Sequence, residues 1–319
     1  MERNGKKRVL ILLNASAGTG RAGTNAWDIV SSFAMEGYEP VIYPIVPGTG
    51  LSSEQLLERY DGSVDMVFCG GGDGTLNHVV QGIMRMRKRP VLAYLPAGST
   101  NDFAKGLGIP SGHKKALEVA LYGTPFRFDV MQLNERFFNY VAAFGAFSAI
   151  SYATDQQLKN VLGHAAYILN AMTEWNKHIR FSCHMRIEAD EETEEGDYVF
   201  GAVCSTVSVG GFEMFRGVDV LLNDGKMELL LIRKPKSATE IPNILNALLN
   251  GSLSDPNITF RQVSRAKFYS DRNTAWSLDG EFGGSYESAE VCIHPRAVTI
   301  MSGISEPERV KEASPVGQV

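Results

Sequence analysis

Cys69-Gly70-Gly71-Gly72-Asp73-Gly74-Thr75-Leu76-Asn77 decides how this chain is read. An apolar run, Val64 to Phe68, leads into it, and Val79, Val80, Ile83 and Met84 follow at helical spacing. A strand that breaks into glycines and then into a helix is built to hold phosphate. Glycines let backbone N–H groups approach an anion, and the helix N-terminus adds partial positive charge. Asp73 and Thr75 add a carboxylate and a hydroxyl, which suit Mg2+ and phosphate oxygens. Taken alone, the same glycines would also serve as a tight strand-to-helix turn.

A second stretch, Leu95-Pro96-Ala97-Gly98-Ser99-Thr100-Asn101-Asp102-Phe103-Ala104, again follows an apolar run, Val91 to Leu95. Ser99 or Thr100 can cap a helix that begins near Asn101. A capped helix start is the plain reading of that stretch by itself. Two Gly-rich strand ends in successive βα units favour more, because such ends line one crevice at the carboxyl edge of an open α/β sheet.

Outward from these stretches the chain divides by texture. Val9–Asn14, Val41–Val46, Val64–Cys69 and Val91–Leu95 read as short buried strands, with amphipathic segments around Asn25–Met35, Ser53–Tyr60 and Leu76–Met86. Strands alternating with helices imply a parallel sheet, which carries to about Phe128. Beyond it, Asp129–Leu133, Phe137–Ala143, Phe181–Glu188, Tyr198–Val207, Met227–Ile232, Ile258–Phe260 and Asp271–Ile300 read as strands. Only one clear helix, Tyr152 to His178, interrupts them. We expect an α/β domain over 1–128 and a mostly antiparallel β-sandwich over 129–294, with about 295–319 returning to the first. The acidic run Glu188 to Asp197, with Gly196, reads as a solvated hairpin connection rather than a functional patch. The tail from Ser305, with Pro307 and Pro315, reads as loosely ordered.

Composition fits a globular enzyme: 319 residues, 44% hydrophobic and 21% charged. The net charge of −5 gives no support for nucleic-acid binding. Cys69, Cys183, Cys204 and Cys292 form no CxxC pair, so neither a zinc site nor a disulfide framework is indicated, and a reducing cytoplasm is the simple reading. The histidines show no metal spacing, and His78 reads as a surface or supporting residue. Val9 to Leu13 is too short for a signal-peptide core. Phe137 to Thr154 is uncharged, but its Asn139, Gly145, Ser148 and Ser151 argue against a membrane span. Any membrane contact is therefore expected to be peripheral.

Gly18-Thr19-Gly20-Arg21-Ala22-Gly23 fits a dinucleotide-binding pattern. The second strand, however, ends in Pro47-Gly48 without the acid that would hold a ribose, so that reading is disfavoured. The chain also lacks the Walker loop and the protein-kinase signature set.

The two Gly-rich motifs resemble those of the diacylglycerol kinase catalytic family, lipid kinases that include the sphingosine kinases. Its Gly-Gly-Asp-Gly-Thr loop matches Gly71-Gly72-Asp73-Gly74-Thr75. Its Pro-x-Gly-Thr-x-Asn-Asp segment matches Pro96-Ala97-Gly98-Ser99-Thr100-Asn101-Asp102. Lys159, Gly163 and Tyr167 fit the start of the family's second domain, and Asp279-Gly280-Glu281 its late Asp-Gly-Glu. Asn14-Ala15-Ser16-Ala17-Gly18 is similar to the family's Asn-Pro-x-Ser-Gly start, with Ala15 in place of the proline. NAD kinases share the glycine loop but lack the Asn-Asp segment in this form. The resemblance implies a Rossmann-like N-terminal domain of the NAD kinase and diacylglycerol kinase type, use of ATP and Mg2+, and a homodimer.

Phosphoryl transfer asks for a held triphosphate, neutralised charge and a base near the acceptor hydroxyl. We expect Gly71, Gly72, Gly74 and Thr75 to bind the nucleotide phosphates. Asn14, Thr100 and Asn101 line the same crevice, and Asp73 helps hold a catalytic Mg2+, directly or through water. Arg21 is read either as a phosphate or headgroup contact or as a plain surface arginine. The resemblance implies Asp279 as general base with Glu281 beside it, on the second domain and facing the glycine loop. From spacing alone, Asp279-Gly280 reads as a hairpin turn. The resemblance also implies a structural Mg2+ bound by Asp224 and linked through Asp129. Leu221 stands where some relatives carry a further acid, and Asp224-Gly225 also suits a simple turn.

The acceptor implied is a lipid hydroxyl, diacylglycerol giving phosphatidic acid, met at a membrane surface. Phe144, Phe147, Tyr152, Phe212, Met214 and Phe215 are candidates to line a lipid cleft, although such residues are more often core. Gly210-Gly211-Phe212 reads as an exposed loop. The alternatives are a kinase of a sphingoid or soluble hydroxyl acceptor such as NAD, and a catalytically silent nucleotide- or lipid-binding regulator. The headgroup preference is not legible.

Overall fold

The computed structural model describes residues 6–14, 25–46, 50–98, 101–145, 182–205, 208–209, 212–213, 220–237 and 239–304. Several expectations fall outside the described residues. They are the Asn14-linked segment from Ala15 with Arg21, Ser99 and Thr100, Phe147, Tyr152, the helix Tyr152 to His178 with Lys159, Gly163 and Tyr167, Gly210-Gly211, Met214, Phe215 and the tail from Ser305. The described residues form two compact units. One draws on Met1–Met131, Arg136–Asn139 and His294–Glu306, the other on Gln132–Glu135 and Tyr140–Ile293.

In the first unit, β1 (Arg8–Asn14), β2 (Glu39–Ile45), β3 (Met66–Gly71) and β4 (Val91–Pro96) pair in the order β2-β1-β3-β4, all parallel. The end of the last strand, β15 (Glu281–Ser302), adds Ile300 beside Leu92 of β4, again parallel. Val9 to Leu13 and Val67 to Cys69 are buried throughout. Continuous apolar runs of this kind are what parallel strands covered on both faces require. The covering helices are α1 (Ala26–Met35), α2 (Ser53–Arg59), α3 (Asp73–Arg85), α4 (Asp102–Gly106) and α5 (His113–Tyr122). Ile29 and Phe33 form the inward stripe of α1, and Phe33 meets Phe68 of β3 edge-on at 5.4 Å. Ser52 and Gln55 start α2 with a capping box, each side chain bonding the other's backbone N–H.

The second unit is antiparallel in every described pair. β7 (Val141–Gly145) and β8 (Cys183–Ala189) lie end to end between β9 (Glu192–Cys204) and β14 (Arg265–Leu278). β12 (Met227–Arg233) flanks β9 and is followed by β13 (Ile258–Val263). β14 turns directly into β15. Ile244 of the helix α6 (Ile241–Leu249) joins Val141, Ala143, Ala202, Leu230 and Ile232 in one core cluster. A separate pair, β10 (Ser208–Val209) and β11 (Phe212–Glu213), brackets the Gly210-Gly211 link.

Some boundaries depart from expectation. Phe137–Ala143 is not one strand: after β5 (Thr124–Leu133), β6 (Arg136–Phe138) ends at Phe138 and β7 starts at Val141. The break frees the N–H groups of Tyr140 and Val141 to donate to the Asp279 carboxylate. The acidic run does hold a hairpin, but only Asp190 and Glu191 turn, and Glu192 to Asp197 belong to β9. Arginines stabilise the strand there. Arg233 pairs with Glu194 at 2.6 Å and Arg261 with Glu192 at 3.0 Å. Helices α5 and α6 were not anticipated. The core side of α5 is Ala116, Leu117 and Ala120, mostly small residues that leave a weak periodic signal. Phe144 is fully buried and packs with Phe268 and Trp276 at centroid distances of 5.9 and 4.9 Å, so it is core and not cleft lining.

One buried acid gives this unit a pH signature. Glu228 of β12 is 1% exposed and takes one hydrogen bond, from Gln262 Nε2 at 3.2 Å. Burial pushes its carboxyl up to about 8, with the charge of Asp224 adding to the rise. The native state therefore keeps a proton that the unfolded chain loses above its ordinary value. Stability from this group is intact at low pH and declines as pH rises toward about 8. We expect Glu228→Gln to melt several degrees above the unsubstituted protein near pH 8 and close to it near pH 5. Thermal melts across that range check this, and a pH-independent difference would contradict it.

Candidate active site

The glycine loop sits where β3 ends and α3 begins. In an open sheet of order β2-β1-β3-β4, the direction of winding reverses between β1 and β3. Ligands bind outside the carboxyl ends of the strands at that point. Asn14 closes β1 there, and its Nδ2 donates to Thr75 Oγ1 of α3 at 2.8 Å. Gly72 precedes the first helical residue, Asp73, and the first intrahelical bond runs from Leu76 N to Gly72 O. The N–H groups of Asp73, Gly74 and Thr75 thus belong to the open first turn of a 13-residue helix that no side chain caps.

Close approach explains the glycines. A Cβ on Gly71 would fall 2.6 Å from Thr75 Cβ, and one on Gly70 would fall 2.6 Å from Leu13 Cδ2. A Cβ on Gly98 would lie 2.9 Å from Gly72 Cα. The turns after β3 and β4 therefore approach closely at Gly72 and Gly98, where a side chain would not fit. Ala97 N donates to Gly71 O at 2.8 Å, and the buried Tyr94 hydroxyl donates to the same oxygen at 3.0 Å.

Asn101, expected in the nucleotide crevice, shapes the second glycine turn. It holds a left-handed conformation (φ 48°, ψ 47°), accepts from Gly98 N at 2.9 Å and donates to Gly98 O at 2.8 Å. Both ends of its amide thus shape the second glycine turn. Thr100 lies outside the described residues. His78 bonds Glu54 at 2.7 Å; burial opposes that carboxylate's charge, but the His78 contact wins and holds it down at about 2. His78 ties α3 to α2. Cys69 is fully buried, and burial pushes its thiol up, away from nucleophilic use.

Asp279 belongs to the second unit, at the tip of the β14–β15 hairpin. Asp279 (φ 49°) and Gly280 (φ 88°) both adopt positive φ, as a two-residue hairpin turn demands. The turn reading is realised. Asp279 is 5% exposed, and its Oδ1 accepts from Val141 N at 2.9 Å and Tyr140 N at 3.1 Å. Two rigid donors orient the carboxylate. Glu281, two residues on, is exposed.

Asp129 and Asp224 fall in different units. Asp129 is buried and accepts from Arg296 N at 2.6 Å. Asp224 closes its own turn by accepting from Lys226 N at 2.9 Å. Among the described residues, no group of three or more His, Cys, Asp or Glu stands at metal-binding spacing.

Sequence reasoning missed Tyr94 and the Tyr140–Val141 donor pair. Tyr94 was concealed in an apolar strand, where its hydroxyl was the one polar hint. Backbone donors carry no residue signature at all.

Comparison with known proteins agrees with these motifs. A profile of the diacylglycerol kinase catalytic domain matches residues 8–133. A diacylglycerol kinase of Bacillus subtilis (strain 168) is 32% identical over 282 residues, 87% of this chain and 91% of the relative. One from Staphylococcus saprophyticus is 28% identical over 280 residues, 88% of this chain and 90% of the relative. A crystal structure of a diacylglycerol kinase from Bacillus anthracis str. Sterne superposes with a TM-score of 0.70 at 18% identity, covering 94% of this chain and 98% of its own.

Proposed function

Because the chain belongs to the diacylglycerol kinase family, and is a phosphotransferase with an alcohol group as acceptor, we propose that it moves the γ-phosphate of ATP to diacylglycerol, giving phosphatidic acid. The observation that carries the nucleotide half is the contact of Gly72 and Gly98 beside the open first turn of α3. Backbone N–H groups there meet phosphate oxygens at a distance that a side chain would forbid.

The residues are assigned as follows. Gly71, Gly72, Gly74 and Thr75 hold the phosphates, with Asn14 fixing the Thr75 hydroxyl. Asp73 suits Mg2+, which usually takes one or two carboxylates and completes its shell with phosphate and water. When bound, the ion neutralises charge on the phosphates. Asp279 accepts the proton of the acceptor hydroxyl, held in direction by the Tyr140 and Val141 N–H groups. Glu281 assists beside it.

Asp224 is assigned a supporting Mg2+, its carboxylate being the oxygen ligand in a site without an acid at Leu221. We expect Asp224→Ala to lower turnover about tenfold and to abolish any rise in melting temperature on adding Mg2+. An equal Mg2+ response in both proteins would leave Asp224 as a turn residue only.

No helix of the described residues is long and apolar enough to cross a membrane. We propose a cytoplasmic protein, a homodimer, that reaches its lipid by peripheral contact. Mass spectrometry of products formed from ATP and Mg2+ with diacylglycerol, sphingoid, isoprenoid and soluble acceptors tests the assignment. Phosphatidic acid as the main product supports it. A soluble phosphorylated product, or nucleotide binding without any product, would replace it.

A further inference from the structure

The acid-bearing hairpin carries a feature that phosphoryl transfer does not need. Phe282, three residues after Asp279, is 55% exposed. Its placement is built in. Ser277 pairs with Phe282 and Trp276 with Gly284, so Gly283 is an extra residue that bulges β15. Bulges re-aim the side chains beside them. This one is held from three sides. A Cβ on Gly283 would fall 2.7 Å from Leu278 Cγ, Gly284 has φ +114°, and the Tyr286 hydroxyl donates to Gly283 O at 3.0 Å. Trp276, opposite the bulge, is anchored against Phe144 and Phe268.

Strand register then sets the company of Phe282. Ser277 pairs with Phe282 on one side and Ala143 on the other, and Ala143 pairs with Ala202. Residues directly opposite in a ladder share a face. Behind Phe282 the row is small and buried, with Ser277 Oγ donating to Ala143 O at 3.4 Å, so Phe282 is its one exposed apolar side chain. The exposed Phe282 ring thus stands three residues from Asp279 on the same hairpin. A hydrocarbon chain next to an acceptor hydroxyl fits that chemistry, and a soluble polar substrate does not.

We infer that Phe282 contacts the acyl chain of the acceptor and sets the preference for long-chain over short-chain diacylglycerol. The inference rests on the lipid kinase reading above. It is tested with wild type, Phe282→Ala and Phe282→Leu on dioleoylglycerol in mixed micelles and on dibutyrylglycerol in solution. Phe282→Ala is expected to raise the surface KM for dioleoylglycerol about tenfold. Its kcat, its KM for ATP and its KM for dibutyrylglycerol should stay within about twofold. Phe282→Leu should recover most of the long-chain KM. An unchanged long-chain KM in Phe282→Ala, or an equal rise for all three substrates, overturns the inference while leaving the lipid kinase reading in place. A wild-type protein that phosphorylates no diacylglycerol overturns both.

Discussion

Asp279→Asn should lower kcat about a thousandfold while ATP binds with its affinity changed by less than about twofold. The substitution is nearly isosteric. An amide oxygen can still accept from Val141 N and Tyr140 N, which lie 2.9 and 3.1 Å from the native Oδ1. The hairpin turn should therefore persist, because asparagine tolerates the positive φ of 49° at this position. What is lost is the capacity to take a proton. The prediction separates catalysis from folding: calorimetry should report ATP binding, melting should report an intact fold, and turnover should collapse. Retention of more than about a tenth of the activity would remove Asp279 from the role of base.

Gly98→Ala should be nearly as damaging by a different route. Its Cβ would lie 2.9 Å from Gly72 Cα and 2.9 Å from Asn101 Oδ1. The first of these is backbone and cannot rotate away. The second is the side chain that accepts from Gly98 N and donates to Gly98 O, so moving it breaks the lock on the turn. Relief must come from separating the turns after β3 and β4, which are tied by the Ala97 N to Gly71 O bond. A displacement of about an ångström at the phosphates is worth on the order of a hundredfold in rate. We expect a loss of that size in kcat/KM for ATP, with destabilisation of about 1–3 kcal/mol from overpacking. Titration of ATP and a melt of the same sample check both. Wild-type ATP affinity in this variant would mean that the nucleotide does not use the backbone between the two turns.

The sequence was most legible where one residue type answers one physical demand. The unbroken apolar runs Val9–Leu13 and Val91–Leu95 could satisfy only strands covered on both faces, and both are strands. Gly71 and Gly72 could be read as positions where backbone must approach a ligand, and a Cβ on Gly71 would indeed meet Thr75 at 2.6 Å. Where several demands shared a residue, the reading was partial. Asp279-Gly280 was legible as a turn and, by resemblance, as an acid; it is the tip of the hairpin and also a buried carboxylate with two backbone donors. Asn101 was legible as a motif residue, but the closing of its amide on Gly98 was not. The acidic stretch misled because strand propensity counts charge against a strand. Arg233 and Arg261 arrive from β12 and β13, far along the chain, and pairing with them makes Glu192 and Glu194 tolerable in β9. The bulge that re-aims Phe282 depends on register, which no local pattern reveals.

The most direct measurement is transfer of label from [γ-32P]ATP, with Mg2+, to diacylglycerol in mixed micelles. The account predicts labelled phosphatidic acid formed at a rate that Asp279→Asn removes. Label that appears only in a soluble acceptor, or phosphatidic acid formed equally well by Asp279→Asn, would contradict it.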